Sequence, residues 1–221
     1  MNGPFARGSL TCANICKYIN SQCTTSNTRA IIMEKPLFFV ATLLSLSAAQ
    51  YENSFAATLG CSQYNAVGGY EADHPYFAIS NFRNVFSTTN VTRIRLGILG
   101  TNDGIIRLAP AEYPYDETEM HEIVLSGWAN QRSVIRRYIR DSPDKVNATV
   151  ELVNRASNGM LSSLKPLMIS IEYYPSGTIK IVKDGNRRPL LQTQDRKLSF
   201  NNIGFCNWNV PVVFFFDCPV N

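Results

Sequence analysis

Histidine is almost missing from this 221-residue chain, which has only His74 and His121. A histidine-rich metal centre is therefore excluded, and a Ser/His/Asp triad would have to use one of those two. No G-x-S-x-G nucleophile elbow occurs, since Ser126-Gly127 lacks the first glycine. Charge is sparse at 17% of residues, and the formal +4 is unevenly placed. Arg7, Lys17, Arg29 and Lys35 precede residue 50 with only Glu34 opposing them, which leaves 17 basic and 16 acidic residues from Gln50 onward. A near-neutral body offers no general footprint for nucleic acid. No apolar run reaches the roughly 20 residues that span a bilayer. There is neither an internal repeat nor a low-complexity tract, and 221 residues leave room for one ordinary domain with a leader.

The strongest apolar run of the first third is Leu37–Ala49, "LFFVATLLSLSAA". It fits the h-region of a signal peptide, with Lys35 before it and small Ser47 and Ala49 at the −3 and −1 positions. Met33 stands where a start codon would place it. The expected organisation is therefore an N-terminal extension over 1–32, a signal peptide over 33–49 and a domain over 50–221. A cytoplasmic tail on an anchor, or a buried strand or helix, is the bland alternative. Cys12, Cys16 and Cys23 lie in the extension without a histidine or fourth cysteine nearby, so they make no zinc motif. If the chain is secreted, Asn90-Val91-Thr92 and Asn147-Ala148-Thr149 are glycan acceptors.

From Gln50 the chain reads as short β-branched and aromatic runs: "PYFAIS", "VTRIRLGI", "IIRLA", "HEIVLSGW", "ATVELV", "LMISIEYY", "TIKIVK", "LSFNNIGF" and "VVFFF". Turn chemistry separates them at Asn102-Asp103-Gly104, Tyr113-Pro114, Pro175-Ser176-Gly177 and Asp184-Gly185-Asn186. This predicts an all-β fold, an antiparallel β-sandwich of jelly-roll or lectin-like kind. Residues 121–140, "HEIVLSGWANQRSVIRRYIR", stay ambiguous on pattern. Val134, Ile135, Tyr138 and Ile139 suit a basic amphipathic helix, whereas period two gives strand, break and strand. β-branched Val134 and Ile135 and the turn-former Asn130 favour strands.

"EIVLSGW", then Asn130 and "SVIRR", resembles the domain named after farnesoic acid O-methyltransferase, a β-rich module of invertebrate proteins. Gly127, Trp128, Asn130, Ser133, Val134, Ile135 and Arg136 fit its Gly-Gly-Trp, Gly-Asn, Ser-Val-Ile-Arg pattern, while Ser126 and Ala129 each replace a glycine. "RIRLGILGTNDGIIRLAP", "MISIEYYPSGTIKIVKDG" and "IGFCNW" are similar to its other segments, over roughly residues 75 to 210. The resemblance implies strands at Ile123–Trp128 and Ser133–Ile139 with a break at Ala129–Gln131. Its name implies methyl transfer to a terpenoid acid.

The residues do not supply that chemistry. A cofactor cradle of this kind needs a strand, a Gly-rich turn and a helix N-terminus. "LGILGTNDGII" has Gly97, Gly100 and Gly104, but a strand pattern follows, and Asn102-Asp103-Gly104 reads as a hairpin turn. "VGGYEADHP" is stopped by His74-Pro75. Asp116, Glu117, Glu119 and Glu122 match no ligand loop, and His121-Glu122 reads as a solvated pair. Neither a catalytic residue, a metal nor a cofactor is expected. The binding candidates are Trp208, Asn207, Arg136 and Trp128. Asn207-Trp208-Asn209 presents an exposed indole suited to a sugar or apolar ligand, and Trp128 reads more readily as core. Arg136 and Arg137 point to opposite faces of a strand, so the inward one needs a carboxylate. The functional expectation is a secreted, non-catalytic module that binds a small apolar ligand, a glycan or a protein. The alternatives are an O-methyltransferase and a lectin-like carbohydrate binder.

The body retains Cys61, Cys206 and Cys218. "IGFCNWNVPVVFFFDC" suggests a hairpin turning at Asn209–Pro211, with Cys206 opposite Phe214 and Cys218 about 13 Å further along at roughly 3.3 Å per residue. A Cys206–Cys218 bridge is then out of reach. Cys61 opens the domain and Cys218 closes it, so a Cys61–Cys218 disulfide is predicted, with Cys206 a buried thiol.

Overall fold

The computed structural model describes residues 54–220. The expectations for the extension, the signal peptide and Cys12, Cys16 and Cys23 lie outside those residues. The strands in chain order are β1 (Ser62–Ala66), β2 (Tyr76–Ala78), β3 (Phe86–Ser87), β4 (Thr92–Leu99), β5 (Gly104–Ala109), β6 (Glu119–Ser126) and β7 (Arg132–Ser142). They continue with β8 (Lys145–Ala156), β9 (Leu167–Tyr173), β10 (Thr178–Lys183), β11 (Leu191–Gln194), β12 (Asn202–Cys206) and β13 (Val212–Phe216). Every named pair is antiparallel. One sheet runs β1-β13-β4-β9-β10-β11 with β3 also on β4, and the second runs β2-β12-β5-β6-β7-β8. The fold is the expected β-sandwich. Among the described residues no helix is long and apolar enough to cross a membrane.

Alternation builds the core. Ile135, Ile123, Ile106 and Phe205 stand opposite one another in register across four strands of the second sheet. All four are fully buried and pack with Leu96, Ile98, Ile169, Ile171 and Phe214 of the first sheet. Burying each such side chain contributes about 1.5–3 kcal/mol. Cys61 and Cys218 are bonded with Cα atoms 4.2 Å apart, tying the start of the described domain to its end, and Cys206 is a buried free thiol.

The 121–140 stretch is two strands, β6 and β7, joined by a tight left-handed turn. Ser126, Trp128, Ala129 and Asn130 all have positive φ there. Two turn assignments are corrected. Asn102-Asp103-Gly104 does not close a hairpin, because β4 and β5 belong to different sheets. "IGFCNWNVPVVFFFDC" is not a hairpin either: Cys206 pairs with Ile105, whereas Phe214 lies between Tyr64 and Ile98 in the other sheet. Both connections cross the sandwich edge. Phe205 and Phe214 meet face to face between the sheets at 4.9 Å, a contact that a single hairpin could not make.

Candidate functional site

The register that sends Ile135, Ile123, Ile106 and Phe205 inward sends two other rows to the outer face of the second sheet. The first row, Val134, Val124, Ile105 and Cys206, is wholly apolar and buried. The next, Arg136, Glu122, Arg107 and Gly204, is charged. A segment ahead of β2 covers that charged row: Tyr70 takes a backbone hydrogen bond to the Trp208 carbonyl, and its ring packs on Trp208 at 4.6 Å.

Glu122 is fully buried at the centre of the charged row. Its Oε2 accepts from Arg107 Nε at 3.1 Å, and its Oε1 accepts from Arg136 Nε at 2.8 Å and from the Tyr70 hydroxyl at 3.2 Å. Arg136 Nη2 donates to the Tyr70 oxygen at 2.8 Å. Arg107, Arg136 and Arg140 all lie over the Tyr70 ring, at 4.9, 5.8 and 4.6 Å. Burial alone would raise the Glu122 carboxyl, but the guanidiniums of Arg107, Arg136 and Arg140 outweigh it and hold the group below the usual carboxylate range. Burial pushes the Cys206 thiol up to about 12. The thiol is therefore protonated at neutral pH, and Glu122 is a carboxylate engaged by three donors.

Beside this row lies a pocket of about 430 Å³, lined by Asn102, Asp103, Ile105, Val124, Trp128, Ala129, Arg136, Trp208 and Asn209. Its floor is Ile105 and Val124 of the apolar row, Arg136 is at one side, and the crossing turn before β5 supplies Asn102 and Asp103. The Asn102 Oδ1 has no partner. Burial raises the Asp103 carboxyl, opposed by the Trp128 backbone N–H. Trp128 and Trp208 are 44% and 52% exposed. The core placement expected for Trp128 is thus corrected: the left-handed turn swings its indole out of line with β6, where Arg132 stacks on it at 4.7 Å.

Three of the four candidates, Trp128, Arg136 and Trp208, therefore share one pocket. Asn207 does not join them. It is buried, accepting from the Gly69 N–H at 3.1 Å and donating to the Val210 carbonyl at 2.9 Å, so it shapes the loop that carries Trp208. Glu122, Arg107 and Arg140 were missed, because a charged residue inside a strand normally reads as solvent-facing, and Tyr70 was missed because it lies in a loop ahead of β2. For Arg107 and Glu122 the signal was their common parity with Arg136 in antiparallel neighbours.

His121 and Glu122 are not the expected solvated pair. His121 points between the sheets and meets Asp195 at 3.0 Å, while Arg137 donates to the same Asp195 oxygen at 2.6 Å. The inward arginine is thus Arg137, and it has its carboxylate. The acidic run disperses: Glu119 turns to Lys197 and Glu122 to the arginines. Among the described residues no three His, Cys, Asp or Glu side chains gather as metal ligands. Asn90 and Asn147 are both exposed.

No curated protein matches the sequence. Among solved structures the chain is similar to Bacillus licheniformis β-glucanase at 10% identity and TM-score 0.37, covering 77% of this chain and 97% of that one. It is similar to a prokaryotic β-1,3-1,4-glucanase (lichenase) derived from a mouse hindgut metagenome at 12% identity and TM-score 0.36, covering 61% of this chain and 66% of the glucanase, just under two thirds of its length. The carbohydrate recognition domain of Emp47p aligns at 13% identity and TM-score 0.34, over 72% of this chain and 89% of that domain. Residues 70–220, from the Tyr70 that caps the charged row to the last described strand and beyond, match the family described as farnesoic acid O-methyl transferase, and the chain belongs to that family.

Proposed function

We propose that this chain is a secreted, non-catalytic binding module whose ligand site is the pocket between Trp128 and Trp208, and that the ligand is a saccharide unit. The observation that carries the proposal is the pairing of two half-exposed indoles with an apolar floor in one cavity of ligand size. Indole faces suit the C–H face of a sugar ring, and the hydroxyls need the polar rim. A purely apolar ligand would strip water from Asn102, Asp103 and Arg136 and return nothing, at about 1–3 kcal/mol for each unsatisfied group. Secretion is supported by the Cys61–Cys218 bond, since such bonds persist in oxidising compartments. Expression from Met33 in a eukaryotic secretory host should give protein in the medium beginning near Gln50, with glycans at Asn90 and Asn147. Cytosolic retention with Met33 intact would contradict it.

The family's name favours methyl transfer as a second reading. The groups around the pocket argue for binding: Glu122 is held ionised by three arginines, and the glycine-bearing turn at 100–103 leads into β5 instead of a helix. A glycan array followed by calorimetry decides between them. Saccharide binding that weakens at least tenfold in Trp208→Ala supports the proposal. Heat on mixing with S-adenosylmethionine at micromolar affinity, with no glycan bound, overturns it.

A further inference from the structure

The outer face of the second sheet buries more guanidinium than carboxylate. Three guanidiniums, from Arg107, Arg136 and Arg140, face the single carboxylate of Glu122, and Arg107, Arg140 and Glu122 are all fully buried. The neighbouring Tyr138 hydroxyl and Cys206 thiol stay protonated and supply no countercharge. Arg107 Nη1 and Arg140 Nε and Nη2 are buried without a hydrogen-bond partner. Arg136 is the member of this group that reaches the pocket. Its Nε and Nη2 are committed to Glu122 and Tyr70, and among the described residues its Nη1 makes no hydrogen bond. Arg132 adds a fourth guanidinium against Trp128. Other acids stand toward solvent: Asp144 lies within electrostatic reach of Arg140, and Asp73 acts with Arg107 and Arg140 on His74 and Tyr115. Glu151, the register partner of Arg136, is engaged by Asn154, and Asp103 lines the pocket with the Trp128 backbone N–H as its partner.

We propose that the saccharide taken by this pocket is an acidic one, a pyranose ring bearing a carboxylate, with Arg136 Nη1 meeting the carboxylate while the indoles hold the ring. The inference rests on the binding reading above and narrows its ligand class. A carboxylate brings the missing countercharge to the edge of a low-dielectric cluster, where a charge-assisted bond to a guanidinium is about twice as strong as a neutral one. Arginine suits the role because it stays charged when partly buried and presents its donors in a plane that matches the carboxylate.

The test titrates the full chain with the methyl glycosides of glucuronic acid, of N-acetylneuraminic acid and of glucose, following tryptophan fluorescence at 20 and 300 mM sodium chloride. At least one acidic sugar should bind tenfold or more tightly than the glucoside. That margin should shrink at high salt, while the glucoside is unaffected. The choice between the two acids identifies the source of the carboxylate. Arg136→Gln should bring the acidic and neutral sugars to similar affinity. The salt arm needs no variant, so the test survives if that substitution disturbs the cluster. Equal, salt-independent binding of all three overturns this inference and leaves the saccharide reading standing. Binding of decanoate with no sugar bound overturns both.

Discussion

Ser126, Trp128, Ala129 and Asn130, with φ between 52 and 67°, form a run of left-handed residues that none but asparagine readily adopts. The related pattern has glycine where this chain has Ser126 and Ala129, and the backbone explains why. Left-handed geometry costs about 1–2 kcal/mol for a residue with a Cβ. Ala129→Gly, at an exposed site, should raise stability by up to about 1 kcal/mol, the strain relieved less the added chain entropy. Urea denaturation measures it, and destabilisation would show that the turn is not strained. Glu122 makes the opposite case. Glu122→Gln leaves three guanidiniums, two of them fully buried, without their carboxylate and should cost about 3–5 kcal/mol, where a loss under 1 kcal/mol would deny the cluster any structural role. The glycines of the related pattern hinted at the left-handed turn, whereas Glu122 could not be weighed from sequence, because beside His121 it has the look of a surface pair.

At the scale of elements, the strands that were legible owed it to β-branched and aromatic runs, as in β4, β9 and β10. Three were not. β1, "SQYNA", and β11, "LQTQ", are sheet-edge strands with polar letters, and β3 is two residues long. Sheet membership was not legible either, because a turn such as Asn102-Asp103-Gly104 has the same residues whether it closes a hairpin or crosses between sheets. Only the register then reveals that Arg107, Glu122 and Arg136 form one row. The Trp128 and Trp208 positions could be picked out, but their meeting in one pocket depends on that crossing. Cys206, buried at the end of β12 against Ile105 and Val124, should resist thiol reagents in the native protein and react fully in denaturant. Rapid native labelling would contradict its burial.

For the whole molecule, closure and pH dependence follow from what is buried. Cys61–Cys218 closes nearly the whole described domain, and replacing both by serine should cost about 2–5 kcal/mol in the unfolding free energy. A loss near zero would mean that the ends are held by other contacts, such as Arg95 Nη1 with the Ala57 and Pro219 carbonyls at 3.2 and 3.0 Å. His74 and His121 are shifted down by burial, only partly offset by their hydrogen bonds to Gly69 and Asp195. Their unfolded forms therefore take up protons first, and stability should start to fall as pH drops below about 6.5. Burial works against ionisation of Asp195 and Glu122 too, yet their hydrogen bonds and arginine neighbours depress both. The stability these carboxylates contribute is present above about pH 4 and is lost as pH falls through their depressed values. Melting temperature against pH should therefore decline in two stages, and a profile flat to pH 4 would contradict the burial of the histidines. His121→Gln should flatten part of the first stage.

The chain contains only two tryptophans, and both line the pocket. Its amide-correlation NMR spectrum therefore has two indole N–H signals, each a reporter on the site. Titration with the glucuronide is the most direct measurement of the central claim. Both indole signals should move together and saturate along one binding curve, with the Arg136 side-chain signal following them. Indole signals that stay still while a ligand binds would place the site elsewhere and contradict the account.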